Sequence, residues 1–182
     1  MIRGLLLLAD GFETTEALAT LDVLLRSKRI EITTVSLNED CIAHSNFHIA
    51  VPCMANISKI EAESYSFMIL PGGKLGVDNL KNDSRVNALI DKFISLNLPI
   101  YAICAAPSIL AAKGYYEGGN YTCFPGFQCG KGNYTGAEVE KRKGKITARS
   151  MAFSIPFGEA ILEELFGEEA VLAVRKGTQG LA

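Results

Sequence analysis

The first apolar block runs from Ile2 to Ala9 with Arg3 as its one charge, and it stops at Asp10-Gly11. A continuous apolar run of that length, closed by a turn pair, predicts a central parallel strand covered on both faces. The period then changes. Ala17, Leu18, Leu21, Leu24 and Leu25 recur at helical spacing, predicting a helix over Thr14–Ser27. Ile30–Leu37 alternates and is rich in Ile, Thr and Val, which predicts a second strand. Asn38–Cys41 reads as a turn and His48–Val51 as a short strand, the far arm of a hairpin. Ile57–Glu63 reads as a helical turn, and Ser66–Leu70 as a buried strand running into Pro71-Gly72-Gly73.

Val86, Leu89, Ile90, Phe93 and Ile94 mark a helix over Ser84–Leu96, with Asp83 or Ser84 as N-cap. Pro99–Ile103 is another buried strand. Ala105-Ala106-Pro107 opens a helix that Gly114 closes. Tyr121–Phe124 predicts a short strand, and Ala137–Lys141 with Lys145–Ala148 a hairpin around Arg142-Lys143-Gly144. Two helices, Ser154–Phe166 and Glu168–Lys176, end the chain. Strands alternating with helices predict an α/β fold with a mostly parallel sheet and helices on both faces, in one domain over residues 1–182.

The 182 residues suit one well-cored domain. A net charge of -2 with no basic block argues against nucleic acid or an anionic membrane as partner, and no secretory or spanning segment fits. Cys41, Cys53, Cys104, Cys123 and Cys129 form no C-x-x-C pair. That argues against a disulfide framework or zinc cluster and points to a reducing cytoplasm. His44 and His48 stand four apart and could share a helix face that holds a metal, but Asn46–Val51 reads as strand and no Cys/His/Asp cluster accompanies them.

Cys104 is the candidate for chemistry. It falls on the corner between the Pro99–Ile103 strand and the following helix, with small neighbours, as in a nucleophile elbow. Helix-terminal N–H groups there favour thiolate over thiol. The competing reading is a buried, inert thiol. Ligands of open α/β sheets bind beyond the carboxyl ends of the strands. Asp10-Gly11, Gly72-Gly73 and Cys104 each follow a strand end, and that convergence favours the reactive reading.

Glu13-Thr14-Thr15-Glu16 leading to Leu21-Asp22-Val23-Leu24, then Leu70-Pro71-Gly72-Gly73, then Ala102-Ile103-Cys104-Ala105-Ala106-Pro107 stand in the order and at the intervals of a known family. The chain resembles the ThiJ/PfpI superfamily over essentially its whole length, in the branch of the Parkinson-disease protein deglycase and the bacterial YajL protein. The resemblance implies a flavodoxin-like three-layer sandwich and a homodimer. It implies Cys104 as reactive nucleophile, Glu16 as the glutamate facing it, and Gly73 and Ala105 as backbone oxyanion donors. A carboxyl beside a thiolate is pushed to keep its proton, and the two then titrate as a pair. The competing reading of Glu16 is an exposed acid on the first helix.

These assignments imply a cysteine-dependent glyoxalase or deglycase that needs no metal or organic cofactor. Its substrate is a small α-oxoaldehyde or the early glycation adduct it forms on proteins. The alternative is a non-catalytic redox sensor or oxidative-stress chaperone working through Cys104 oxidation. No histidine lies beside Cys104, so a Cys-His protease or amidase dyad is not supported. Ser150-Met151-Ala152 stands where this branch carries a Gly-Pro-Gly turn, giving a bulkier wall.

Overall fold

The computed structural model describes residues 1–180. In chain order it holds β1 (Ile2–Leu8), α1 (Thr14–Arg26), β2 (Ile30–Ser36), the hairpin β3 (Ile42–His44) and β4 (Ala50–Pro52), β5 (Ala55–Asn56) and β6 (Phe67–Leu70). There follow α2 (Lys74–Asn82), α3 (Ser84–Ser95), β7 (Ile100–Ile103), α4 (Pro107–Ala112), β8 (Asn120–Tyr121), β9 (Asn133–Tyr134), β10 (Val139–Glu140), β11 (Thr147–Ala148), α5 (Ser154–Phe166) and α6 (Glu168–Gln179).

Seven strands form the main sheet in the order β10-β11-β7-β6-β1-β2-β5. All neighbours are parallel except β10 and β11. The strand alternation assigns side chains to two cores. Leu5, Leu7, Met68, Leu70, Ile100 and Ala102 face the core lined by Val86, Ile90 and Phe93 of α3 and by Leu110 of α4. Their neighbours Leu6, Leu8, Phe67, Ile69, Tyr101 and Ile103 face the core lined by α1, α5 and α6. Both faces are covered, so the strands read as unbroken apolar runs. The chain leaves β1 for α1 on one face and β6 for α2 and α3 on the other. The carboxyl ends of β1 and β6 therefore flank the topological switch point, where such sheets bind ligands.

Three local expectations shift. The near arm of the hairpin is Ile42–His44, after the Asn38–Cys41 turn, and His48 sits at its tip with φ 60° rather than in a strand. Asn120–Tyr121 pairs with β9, while beyond it the amide of Thr122 donates to Thr147 Oγ1 and that of Phe124 to the Cys104 carbonyl. The third is α2, which the hydrophobic pattern does not mark. Only Gly76, Val77 and Leu80 are buried, so its stripe is weak, and a mid-helix glycine lowers it further. Gly76 is there because a Cβ would stand 2.8 Å from Phe12 Cα.

Asp83 ends α2 and starts α3. Its carboxylate accepts from the amides of Arg85 (2.8 Å) and Val86 (3.4 Å) and pairs with the Arg85 guanidinium, which holds it below the usual carboxylate range. Asp83→Ala should cost about 1 kcal/mol in urea unfolding. A lowered pKa stabilises above the ordinary carboxylate range and is lost as pH falls through it. The difference between wild type and variant should thus vanish in acid; a constant difference from neutral pH into acid would contradict the capping account.

Candidate active site

The site is built from the three turns that follow β1, β6 and β7. Gly11 (φ 86°) and Gly73 (φ 87°) both adopt the left-handed backbone that favours glycine. Their turns interlock: a Cβ on Gly73 would lie 2.4 Å from Gly11 O, and one on Gly11 2.6 Å from Leu75 Cβ. The Glu13 amide donates to Gly72 O at 3.0 Å, fixing where α1 begins. One turn later Glu16 points into the protein and is fully buried.

This turns part of the predicted α1 stripe. Of Ala17, Leu18, Leu21, Leu24 and Leu25, Ala17 and Leu24 are buried and Leu21 packs against the same core, while Leu25 is exposed. Glu16, Thr20 and Val23 complete the buried face. The competing reading of Glu16 as a surface acid is thereby excluded. Glu16 Oε2 accepts from the Gly72 amide at 2.7 Å, its other oxygen, Oε1, has no protein hydrogen-bond partner, and its carboxyl lies against the Cys104 thiol. Gly72 carries no side chain of necessity, because a Cβ would stand 2.5 Å from Glu16 Oε2 and 2.7 Å from Cys104 Cβ.

Cys104 has φ 64°, a conformation costing a non-glycine residue about 1–2 kcal/mol. The elbow is pinned on both sides. Its amide donates to Ala148 O of β11 at 2.9 Å, and its carbonyl accepts from the Phe124 amide at 2.7 Å. The residue is partly exposed rather than fully buried. Backbone N–H groups of Gly73 and Ala105 stand near enough to the sulfur to favour its charged form. Helix α4 has only six residues, so these two amides, rather than a helix dipole, are the local source of positive potential.

Burial pushes the Glu16 carboxyl up from 4.5 to about 7, opposed by its contacts with Cys104 and the Gly72 amide. Burial first, then the Glu16 charge, pushes the Cys104 thiol up, and the Gly73 and Ala105 amides pull it back. Charge on one group raises the other, so the two share protons as a coupled pair.

Glu16, Gly73, Cys104 and Ala105, the four candidates that the sequence offers, thus meet at one end of the sheet. Gly72 is visible in the sequence only as half of a glycine pair. The clamps from Ala148 and Phe124 are backbone contacts with no residue-type signature. Met151, about half exposed, lies in the short turn Met151–Phe153 that follows β11, the strand beside β7.

A parallel α/β sandwich with a strained cysteine elbow facing a buried glutamate defines the class. The pattern of the DJ-1/PfpI family matches residues 3–164, and the chain belongs to that family. It is 30% identical over 178 residues to protein dj-1beta of Drosophila melanogaster, covering 96% of this chain and 95% of that one. The Parkinson disease protein 7 homolog of Danio rerio is 31% identical over 179 residues, covering 95% and 94%. A deglycase of Pyrococcus abyssi is 24% identical over 127 residues, covering 70% and 75%. DJ-1 homolog B of Arabidopsis thaliana is a longer protein: the match, 29% identical over 177 residues, takes in 94% of this chain and 40% of that one. The crystal structure of Drosophila melanogaster DJ-1beta superposes with a TM-score of 0.90 at 29% identity, covering 98% of this chain and 97% of that one.

A carboxyl raised to about 7 favours folding fully below 4.5, and that contribution is lost as pH rises through 7. Wild-type stability should therefore fall by roughly 3 kcal/mol between about pH 5 and pH 8.5 from this group. Glu16→Gln, which keeps an oxygen for the Gly72 amide, should remove that slope. Parallel pH profiles of denaturant midpoints would contradict the assignment.

Proposed function

We propose that the protein is a cofactor-free cysteine enzyme that converts α-oxoaldehydes, or the early adducts they form on amines, to 2-hydroxy acids. The observation that carries this reading is the buried Glu16 carboxyl beside a partly exposed Cys104, with the Gly73 and Ala105 amides near its sulfur. The relative named a deglycase supports it.

Glu16 accepts the thiol proton as Cys104 Sγ adds to the aldehyde carbon. The carbonyl oxygen becomes an alkoxide held by the Gly73 and Ala105 amides, and it takes that proton to give a hemithioacetal. Glu16 carboxylate then removes the C–H proton of the former aldehyde, and the electron pair moves toward the ketone oxygen as an enediolate forms. Glu16 returns that proton to the neighbouring carbon, the hydroxyl proton on the sulfur-bearing carbon passes to the former ketone oxygen, and the thioester of a 2-hydroxy acid results. Water cleaves the C–S bond, releasing the acid and restoring the thiol. One water is consumed, and oxidation at one carbon is balanced by reduction at the next. On an adduct the same carbon is attacked, and the amine leaves.

The protein works as a cytoplasmic homodimer in this reading. The hairpin and the segment after it leave Phe47 71% and Met54 73% exposed, and a second copy would cover such side chains.

A second reading has one observation of its own. The free Oε1 of a protonated Glu16 can donate to an oxygen added at Cys104, which favours a sulfinate and a role as redox sensor or stress chaperone. Mild peroxide should then add two oxygens at Cys104 before any other cysteine is so oxidised, as read by intact mass and peptide mapping. Earlier sulfinate formation elsewhere would contradict it.

The enzyme reading is tested with methylglyoxal and no glutathione, following lactate. Cys104→Ser and Glu16→Gln should each lower kcat/KM by about 10²-fold or more. The acid limb of wild-type kcat/KM should lie near 7, where the Glu16 carboxyl loses its proton. Turnover that survives either substitution would contradict the reading.

A further inference from the structure

Two cysteines outside the Cys104 site, Cys41 and Cys53, stand at opposite positions at the open end of the β3–β4 hairpin. The ladder pairs His44 with Ala50, Ala43 with Val51 and Ile42 with Pro52, so the next pair is Cys41 with Cys53. The Cys53 amide donates to the Cys41 carbonyl at 2.7 Å, in keeping with that register. Residues directly opposite in an antiparallel ladder have Cα atoms about 4.5–5.5 Å apart, inside the span of roughly 4.4–6.8 Å that a disulfide bridges.

We propose that Cys41 and Cys53 are a second oxidation site of the protein, closing a reversible intramolecular disulfide across the hairpin when exposed to a peroxide. In the reduced protein each thiol contacts a nearby carbonyl, Cys41 Sγ at 3.9 Å from Glu39 O and Cys53 Sγ at 3.6 Å from Val51 O. Closing the bridge requires rotation about χ1 of both residues. Cys41 lies at the corner where the Asn38–Cys41 turn meets β3, with φ 58°. The Cys53 thiol is the poorer first nucleophile, since burial pushes it up to about 11, and the nearby Cys41 adds to that rise. Cys41 thiolate therefore attacks the peroxide, leaving a sulfenic acid and hydroxide. Cys53 sulfur then displaces that hydroxyl, forming the S–S bond. Two thiols and one hydrogen peroxide give one disulfide and two waters.

The test treats Cys104→Ser protein, in which the elbow thiol is absent, with hydrogen peroxide, then alkylates under denaturing conditions. The protein should lose two hydrogens in mass, and Cys41 and Cys53 should become resistant to alkylation in parallel. The peptides on either side of a cut after Phe47 should stay joined until reduced. Cys41→Ser and Cys53→Ser, each added to that background, should abolish the joined species and leave the remaining cysteine of the pair open to alkylation. The same bridge should form in wild type. Peroxide treatment that leaves both cysteines alkylatable, oxidises each to an acid without joining them, or links them only between chains would overturn the proposal.

Discussion

A carboxyl group held out of water against a sulfur is the constraint from which the rest of the structure follows. Glu16 lies on the first helix, and Cys104 directly follows β7, 88 positions on. Nothing local brings them together. They meet because β1, β6 and β7 are neighbours in a parallel sheet, and because each releases its chain at the same end. The Gly72 turn stands between them, donating one amide to the carboxyl and presenting no side chain to fill the gap. Burying an ionisable carboxyl is unfavourable, and so is a cysteine with positive φ. Two layers of apolar packing, one on each face of the sheet, hold both in place.

The proposed function asks for acid–base chemistry from a chain with no histidine near Cys104, and the same arrangement supplies a candidate for it. A carboxyl at its ordinary pKa is a weak base at neutral pH. Burial moves Glu16 to about 7, where it both accepts and returns a proton readily. The amides of Gly73 and Ala105 favour negative charge on the sulfur, and in the proposed reaction they then hold the oxygen on the attacked carbon. The clamps from Ala148 and Phe124 pin the backbone of the elbow on both sides and so fix where the sulfur stands.

Much of this is legible in the sequence. The apolar runs at Leu5–Leu8, Phe67–Leu70 and Ile100–Ile103 mark strands covered on both faces, and the Asp83 cap marks a helix start. Cys104 stands out through the strand before it and the small residues and proline after it. What the sequence hides has physical causes. Helix α2 leaves little trace because its buried face is narrow and interrupted by Gly76, a residue demanded by the close approach of Phe12. For α1, hydrophobicity favours a face containing Leu25, whereas the Glu13–Gly72 contact turns the helix to bury Glu16. The backbone clamps on the elbow leave no mark, since any residue but proline supplies both an amide and a carbonyl. Cys41 and Cys53, twelve positions apart, share no motif and become a pair only through the hairpin register.

The central claim is that the Glu16 carboxyl, shielded from water beside Cys104, changes its protonation in the neutral range. Carbon-detected NMR of the labelled Glu16 side-chain carboxyl, followed across pH in the folded protein, reads this directly. The account requires a midpoint near 7, accompanied by a response of the Cys104 Cβ resonance at the same pH. A midpoint near 4.5 with an unresponsive Cys104 would contradict it.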